Sequence, residues 1–139
     1  MYKKWITMCI IILGLPLAAL PTFAHHAFSA EFDATKPVRL EGKINRMEWI
    51  NPHSWLHVDV SNDDGSIDTW MVEAGPAGVL VRRGWRKDSI VSGTDVIVEG
   101  YQARDGSMRA NGRDVTLPNG ERLFAGSTGP GAPPEAGEQ

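Results

Sequence analysis

From Val38 to Leu117 apolar side chains recur at every second position, and a single stretch in the middle switches to helical spacing. A period of two belongs to strands with one covered face, so the chain must build a sheet and cover one side of it. Val38, Leu40, Gly42 and Ile44 alternate with Arg39, Glu41, Lys43 and Asn45. The phase then slips, because Met47 and Trp49 are apolar at odd positions, which predicts a bulge and a bend near Asn45–Arg46. Leu56, Val58 and Val60 alternate with Trp55, His57 and Asp59. A turn at Asn62–Ser66, with Gly65 free to take positive φ, brings back a strand over Ile67–Glu73.

Gly75-Pro76 precedes Ala77–Arg83, and Gly84 follows. Proline near the first turn and glycine past the last are the ends of a short helix. Strands over Asp95–Tyr101 and Met108–Leu117 follow, then a turn at Pro118-Asn119-Gly120 before Arg122-Leu123-Phe124. The expected class is all-β with one short helix. Strand, strand, strand, helix, strand, strand, with a long bent first strand, matches a five-stranded OB-like barrel. Such closure also removes exposed edges.

Export is the second expectation. Lys3 and Lys4 precede an uncharged apolar run of 16 residues, Trp5–Leu20, and Thr22 and Ala24 occupy the −3 and −1 positions of a cleavage site. The run is short of the ~20 residues that cross a bilayer, so no stable membrane insertion is expected after processing. Residues 1–24 are read as a signal peptide, 25–36 as an N-terminal arm, 37–125 as the folded domain and 126–139 as a disordered tail without large apolar residues. Cys9 leaves with the signal, which excludes disulfides and thiolate metal sites from the mature chain. Twelve basic residues then face 17 acidic ones, a formal charge of −5 that argues against nucleic acid as a partner. The location expected is periplasmic or secreted.

His25-His26-Ala27-Phe28-Ser29-Ala30-Glu31-Phe32-Asp33, Glu48-Trp49-Ile50-Asn51-Pro52-His53-Ser54-Trp55, Arg82-Arg83-Gly84-Trp85 and Leu117-Pro118-Asn119-Gly120 carry a resemblance. Over almost the whole mature length the chain resembles a family of small exported bacterial proteins known only as a domain of unknown function. That resemblance implies export and compactness, and no activity.

All four histidines, His25, His26, His53 and His57, lie in the first half of the mature chain. Imidazoles without thiolates suit Cu(II), Zn or Ni. If cleavage follows Ala24, the α-amine and imidazole of His25 can chelate one metal, and His53 or His57 can add a second imidazole. This arrangement resembles the histidine brace of copper oxygenases and some periplasmic copper carriers, and copper is the cofactor it implies. His53, Trp55 and His57 share parity, so they are expected on one strand face, away from the main core, with Asp59 in line as a further acceptor. The same histidines also admit a plain structural role: His53 bonded to backbone in a turn, His57 solvated on a strand, His25 and His26 at a mobile end.

Other sets remain open. Met47, Trp49, Met71 and His53 are similar to the Cu(I) site of the OB-fold chaperone of copper and silver efflux, although both methionines sit at apolar phases where core packing is the default. Trp49, Trp55, Trp70 and Trp85 offer an aromatic face for a small ligand or a protein, without any metal. Arg82, Arg83, Arg86 and Lys87 form one basic cluster at the helix end. No nucleophile, zinc-protease or phosphate-loop motif is present. Enzyme activity therefore has no support beyond the redox chemistry copper would bring.

Overall fold

The computed structural model describes residues 28–126. In chain order they form α1 (Phe28–Glu31), β1 (Phe32–Glu48), β2 (Ser54–Ser61), β3 (Ile67–Ala74), α2 (Ala77–Arg82), β4 (Asp95–Ala103), β5 (Arg109–Thr116) and β6 (Arg122–Phe124). The fold is mostly β, with two short helices. The segment read as a signal peptide, His25, His26 and residues 127–139 of the expected tail lie outside the described residues.

β1 organises the sheet. Its first part pairs antiparallel with β4, from Phe32–Ala103 to Lys43–Asp95, and its last part with β2, from Lys43–Asp59 to Glu48–Trp55. Lys43 therefore has a partner on both sides, where the strand bends from one neighbour to the other. Gly42 makes that bend possible: a Cβ there would collide with the backbone carbonyl oxygen of Asp59. The β1–β2 register shifts between Ile44 and Arg46, which leaves Asn45 as the extra residue at the point where the sequence changes phase. β1 also starts earlier than the alternation implies. Residues 32–36, read as part of an arm, belong to the strand, across a register jump between Phe32 and Pro37.

β2 and β3 form the expected hairpin, with Leu56 opposite Val72 and Val58 opposite Trp70. β3 then meets β5 in parallel over Met71–Arg109, Val72–Ala110 and Glu73–Asn111, while β5 pairs antiparallel with β4. Hydrogen bonding thus runs β1-β2-β3-β5-β4 and back to β1 in a ring. The sheet has six strands rather than five. Arg122–Phe124, expected only as the segment after the last turn, pairs with Asp114–Thr116, on the same edge of β5 as β3 but beyond the stretch that β3 occupies.

Inside the ring Leu40, Ile44, Leu56, Val58, Val72, Val96, Val98 and Val115 form one cluster with Leu80 from α2 and Trp85 just after it. Each such branched side chain, fully buried, contributes roughly 1.5–3 kcal/mol. The indole of Trp85 is 1% exposed, and its Nε1 donates to the Phe124 carbonyl at 3.0 Å, which satisfies its one polar atom. A second, smaller cluster of Phe28, Phe32 and Ala103, with Tyr101 against it, fastens α1 to the start of β1 and the end of β4. Phe28 meets Tyr101 edge-on with ring centroids 5.7 Å apart.

Candidate functional site

The outward side chains of β2 and β3 alternate with the core residues as the sequence predicts, but the surroundings of the two described histidines differ. His57 is 3% exposed. It lies in register between Arg46 on β1 and Met71 on β3, and its Nε2 is 2.8 Å from Glu48 Oε1. A carboxylate only accepts, so Nε2 carries the proton in this bond. The expected open strand face is therefore covered at His57. Glu48 also accepts from Arg46 Nε at 3.2 Å, and Asp59, in line with His57, accepts from Thr69 and Asn45. Those two hydrogen bonds, Thr69 first, hold the Asp59 carboxyl below the usual carboxylate range.

His53 precedes β2 in the β1–β2 connection, and its ring is 33% exposed. Its Nδ1 is buried and lies 2.6 Å from Glu73 Oε1. The approach is short but oblique, and no aligned hydrogen bond reaches Nδ1 among the described residues. The exposed third of the side chain excludes Nδ1, and Nε2 is not among the buried atoms left without a partner. Glu73 is 8% exposed, opposite Trp55 across the β2–β3 pair. Burial raises its carboxyl above the usual range and nearby Glu31 adds to the rise, while His53 and Arg109 pull the other way.

The N-terminal arm is tied down beside this pair. Arg109 at the start of β5 reaches Glu31 Oε2 at 3.1 Å, and its guanidinium lies 5.6 Å from the centroid of Trp55 and 6.0 Å from that of Phe32. Arg104 Nε donates to the Ser29 carbonyl at 2.8 Å. Four separate parts of the chain thus converge: Glu31 from α1, His53 from a connection, Glu73 from β3 and Arg109 from β5. Among the described residues no group of three or more His, Cys, Asp or Glu is placed to hold a metal ion. A metal at His53 would need a ligand from beyond them, and His25 and His26 lie there.

The other sets do not assemble. Met47 and Trp49 pack against the core, whereas Met71 is 37% exposed and His53 sits with Glu73. The four tryptophans form no common face: Trp85 is inside with Trp49 edge-on to it, ring centroids 6.3 Å apart, Trp70 packs against the core, and Trp55 lies on the outer face beside Arg109. A groove of about 600 Å³, lined by Gly42, Lys43, Asp59, Ile67, Leu117 and Pro118 among others, contains none of them. In the basic cluster Arg86 pairs with Asp88, and Lys87 lies 5.8 Å over Trp49. No helix among the described residues is long and apolar enough to cross a membrane.

Glu73, Glu31 and Arg109 do not stand out as site residues in the sequence, where Glu73 is only the last residue of an expected strand. Pairing outward from the Asn62–Ser66 turn places Trp55 opposite Glu73, so that neighbour was accessible to register counting. Arg109 was not, because the β3–β5 contact joins strands on either side of α2 and β4. No curated protein and no solved structure matches the chain. A family model does: it covers residues 14–112, from within the segment read as a signal to Gly112 on β5, and the chain belongs to the Family of unknown function (DUF6152).

Proposed function

We propose that the protein is an exported periplasmic binding module that holds copper at its mature N-terminus, with the amine and imidazole of His25 as a chelate and the imidazole of His53 as the further ligand. The observation that carries this reading is the state of His53: Nδ1 turned in against buried Glu73, the side chain one-third exposed, and Nε2 not among the buried atoms left without a partner, beside the site where Glu31 and Arg109 fasten the arm. His25 is three residues before Phe28, so the chain allows at most about 11 Å between their Cα atoms. His26 lies in the same reach. His57 is a poorer ligand, since its ring is covered and its Nε2 is engaged by Glu48. Cleavage after Ala24 is part of the proposal, because the chelate needs a free amine on His25.

The fold that presents this site is an OB-like barrel in our reading. The ring order β1-β2-β3-β5-β4, the parallel β3–β5 contact and α2 between β3 and β4 support it.

Adding one glycine before His25 tests the function. It removes the amine from the chelate and leaves all four imidazoles in place. Tight Cu(II) binding, followed by titration with electron paramagnetic resonance, is expected in the processed protein and lost in the glycine-extended form. His53→Ala should be severe and His57→Ala should not. Equal, weak binding by the native and extended forms would overturn the copper reading.

A further inference from the structure

We infer that Glu73 is a positioning residue for His53: it fixes the imidazole as the Nδ1–H tautomer and so presents Nε2, and only Nε2, as the ligand nitrogen. The inference rests on the copper reading of His53 for its functional meaning, but its structural half stands on its own. Three observations carry it. His53 Nδ1 is buried and 2.6 Å from Glu73 Oε1, close enough that a small ring rotation completes a hydrogen bond to a carboxylate that only accepts. Nδ1 takes no part in the 33% exposure of the side chain, and Nε2 is not one of the buried atoms left without a partner, so Nε2 is the ring nitrogen left to meet a ligand. Glu73 is itself held in place: it is buried on β3, in register with Trp55 on one side and Asn111 on the other.

In water a neutral imidazole favours the Nε2–H form, whose Nε2 has no lone pair to offer a metal. A carboxylate behind Nδ1 reverses that preference and raises the basicity of the opposite nitrogen. This is why metal-bound histidines so commonly carry such a partner, and why losing it costs about 10- to 100-fold in metal affinity. The two described histidines are set oppositely in this respect. Glu48 engages His57 at Nε2 and Glu73 engages His53 at Nδ1, so the fold frees a ligand-type nitrogen at the exposed ring.

The test has two parts. In the metal-free processed protein, at a pH where the imidazoles are neutral, long-range nitrogen–proton correlation spectra should show His53 with Nε2 unprotonated. A protonated Nε2, or a mixture like that of free imidazole, overturns the inference whatever the protein binds. Glu73→Leu keeps the buried volume without the acceptor and should move His53 toward the Nε2–H form, weakening Cu(II) binding about 10- to 100-fold. Glu73→Gln keeps an acceptor oxygen and should lose much less. Unchanged copper affinity in Glu73→Leu, with loss in His53→Ala, removes the role of Glu73 and leaves the site. Unchanged affinity in His53→Ala removes the site itself. If Glu73→Leu fails to fold, the wild-type tautomer and the Glu73→Gln titration still decide.

Discussion

Replacing His57 by alanine should damage the fold and spare the ligand, the reverse of the same change at His53. The ring of His57 is 3% exposed and gives its Nε2 proton to Glu48 at 2.8 Å. Two contributions are lost. A hydrogen bond to a charged group contributes about 1.5–3 kcal/mol, but Glu48 is 40% exposed and regains water when its partner goes, so the lower end applies. Truncating a covered ring also leaves a void, and large-to-small changes in cores cost about 2–5 kcal/mol. Here Met71, itself partly exposed, lies next to the void and can settle into it, which again favours the lower end. The sum is roughly 3–4 kcal/mol. For a domain of this size each kcal/mol lowers the melting temperature by about 4–8 °C, so a drop of at least about 12 °C is expected. Urea unfolding followed by tryptophan fluorescence should show a lower midpoint with an unchanged slope. Cu(II) affinity of the folded fraction should match the parent. A loss below about 0.5 kcal/mol, the range of ordinary surface changes, would refute the buried assignment of His57. A large fall in copper affinity at unchanged stability would make His57 the ligand in place of His53.

Arg109→Met keeps much of the apolar stem against Trp55 and removes the ion pair to Glu31, so stability should change by less than about 1 kcal/mol. Hydrogen exchange at Phe28–Glu31 should rise, and unaltered protection there would show that the aromatic cluster alone holds the arm. Asp59, held below the usual carboxylate range by Thr69 and Asn45, stabilises the fold above its unfolded pKa and loses that effect as pH falls through its folded value. Stability should therefore decline with acid below about pH 4, and Asp59→Asn should flatten the decline. An equally steep acid limb in Asp59→Asn would deny the linkage.

Period-two alternation made β1, β2 and the inward set Leu56 and Val58 legible, and the phase slip after Ile44 marked the bulge at Asn45. Pro76 and Gly84 bracketed α2 for reasons of backbone geometry that are local and therefore readable. What escaped was non-local. Alternation assigns His57 to the outer side of the sheet, yet it does not say that neighbouring strands and Glu48 cover that side. Phe32 falls in the segment read as an arm, and its place in β1 depends on Ala103, far along the chain. Arg109 entered the site only through the parallel meeting of β3 and β5, which no short window contains.

The ring is joined between β3 and β5 by only three residue pairs, against eight between β2 and β3. Glu73 and Arg109 sit at the two ends of that short seam, and His53 and Glu31 lean on them from either side. The convergence of the four residues is therefore a property of the closed ring alone. Opening the seam separates Glu73 and His53 from Arg109 and Glu31 before the hairpin or the β1–β4 pairing need be disturbed. A ligand that bridged the arm and His53 would bind the closed form and not the open one, so mass action would make it a clasp on the shortest joint of the ring. Occupancy and closure are then one equilibrium, and the slowest-exchanging amides of β3 and β5 become its gauge.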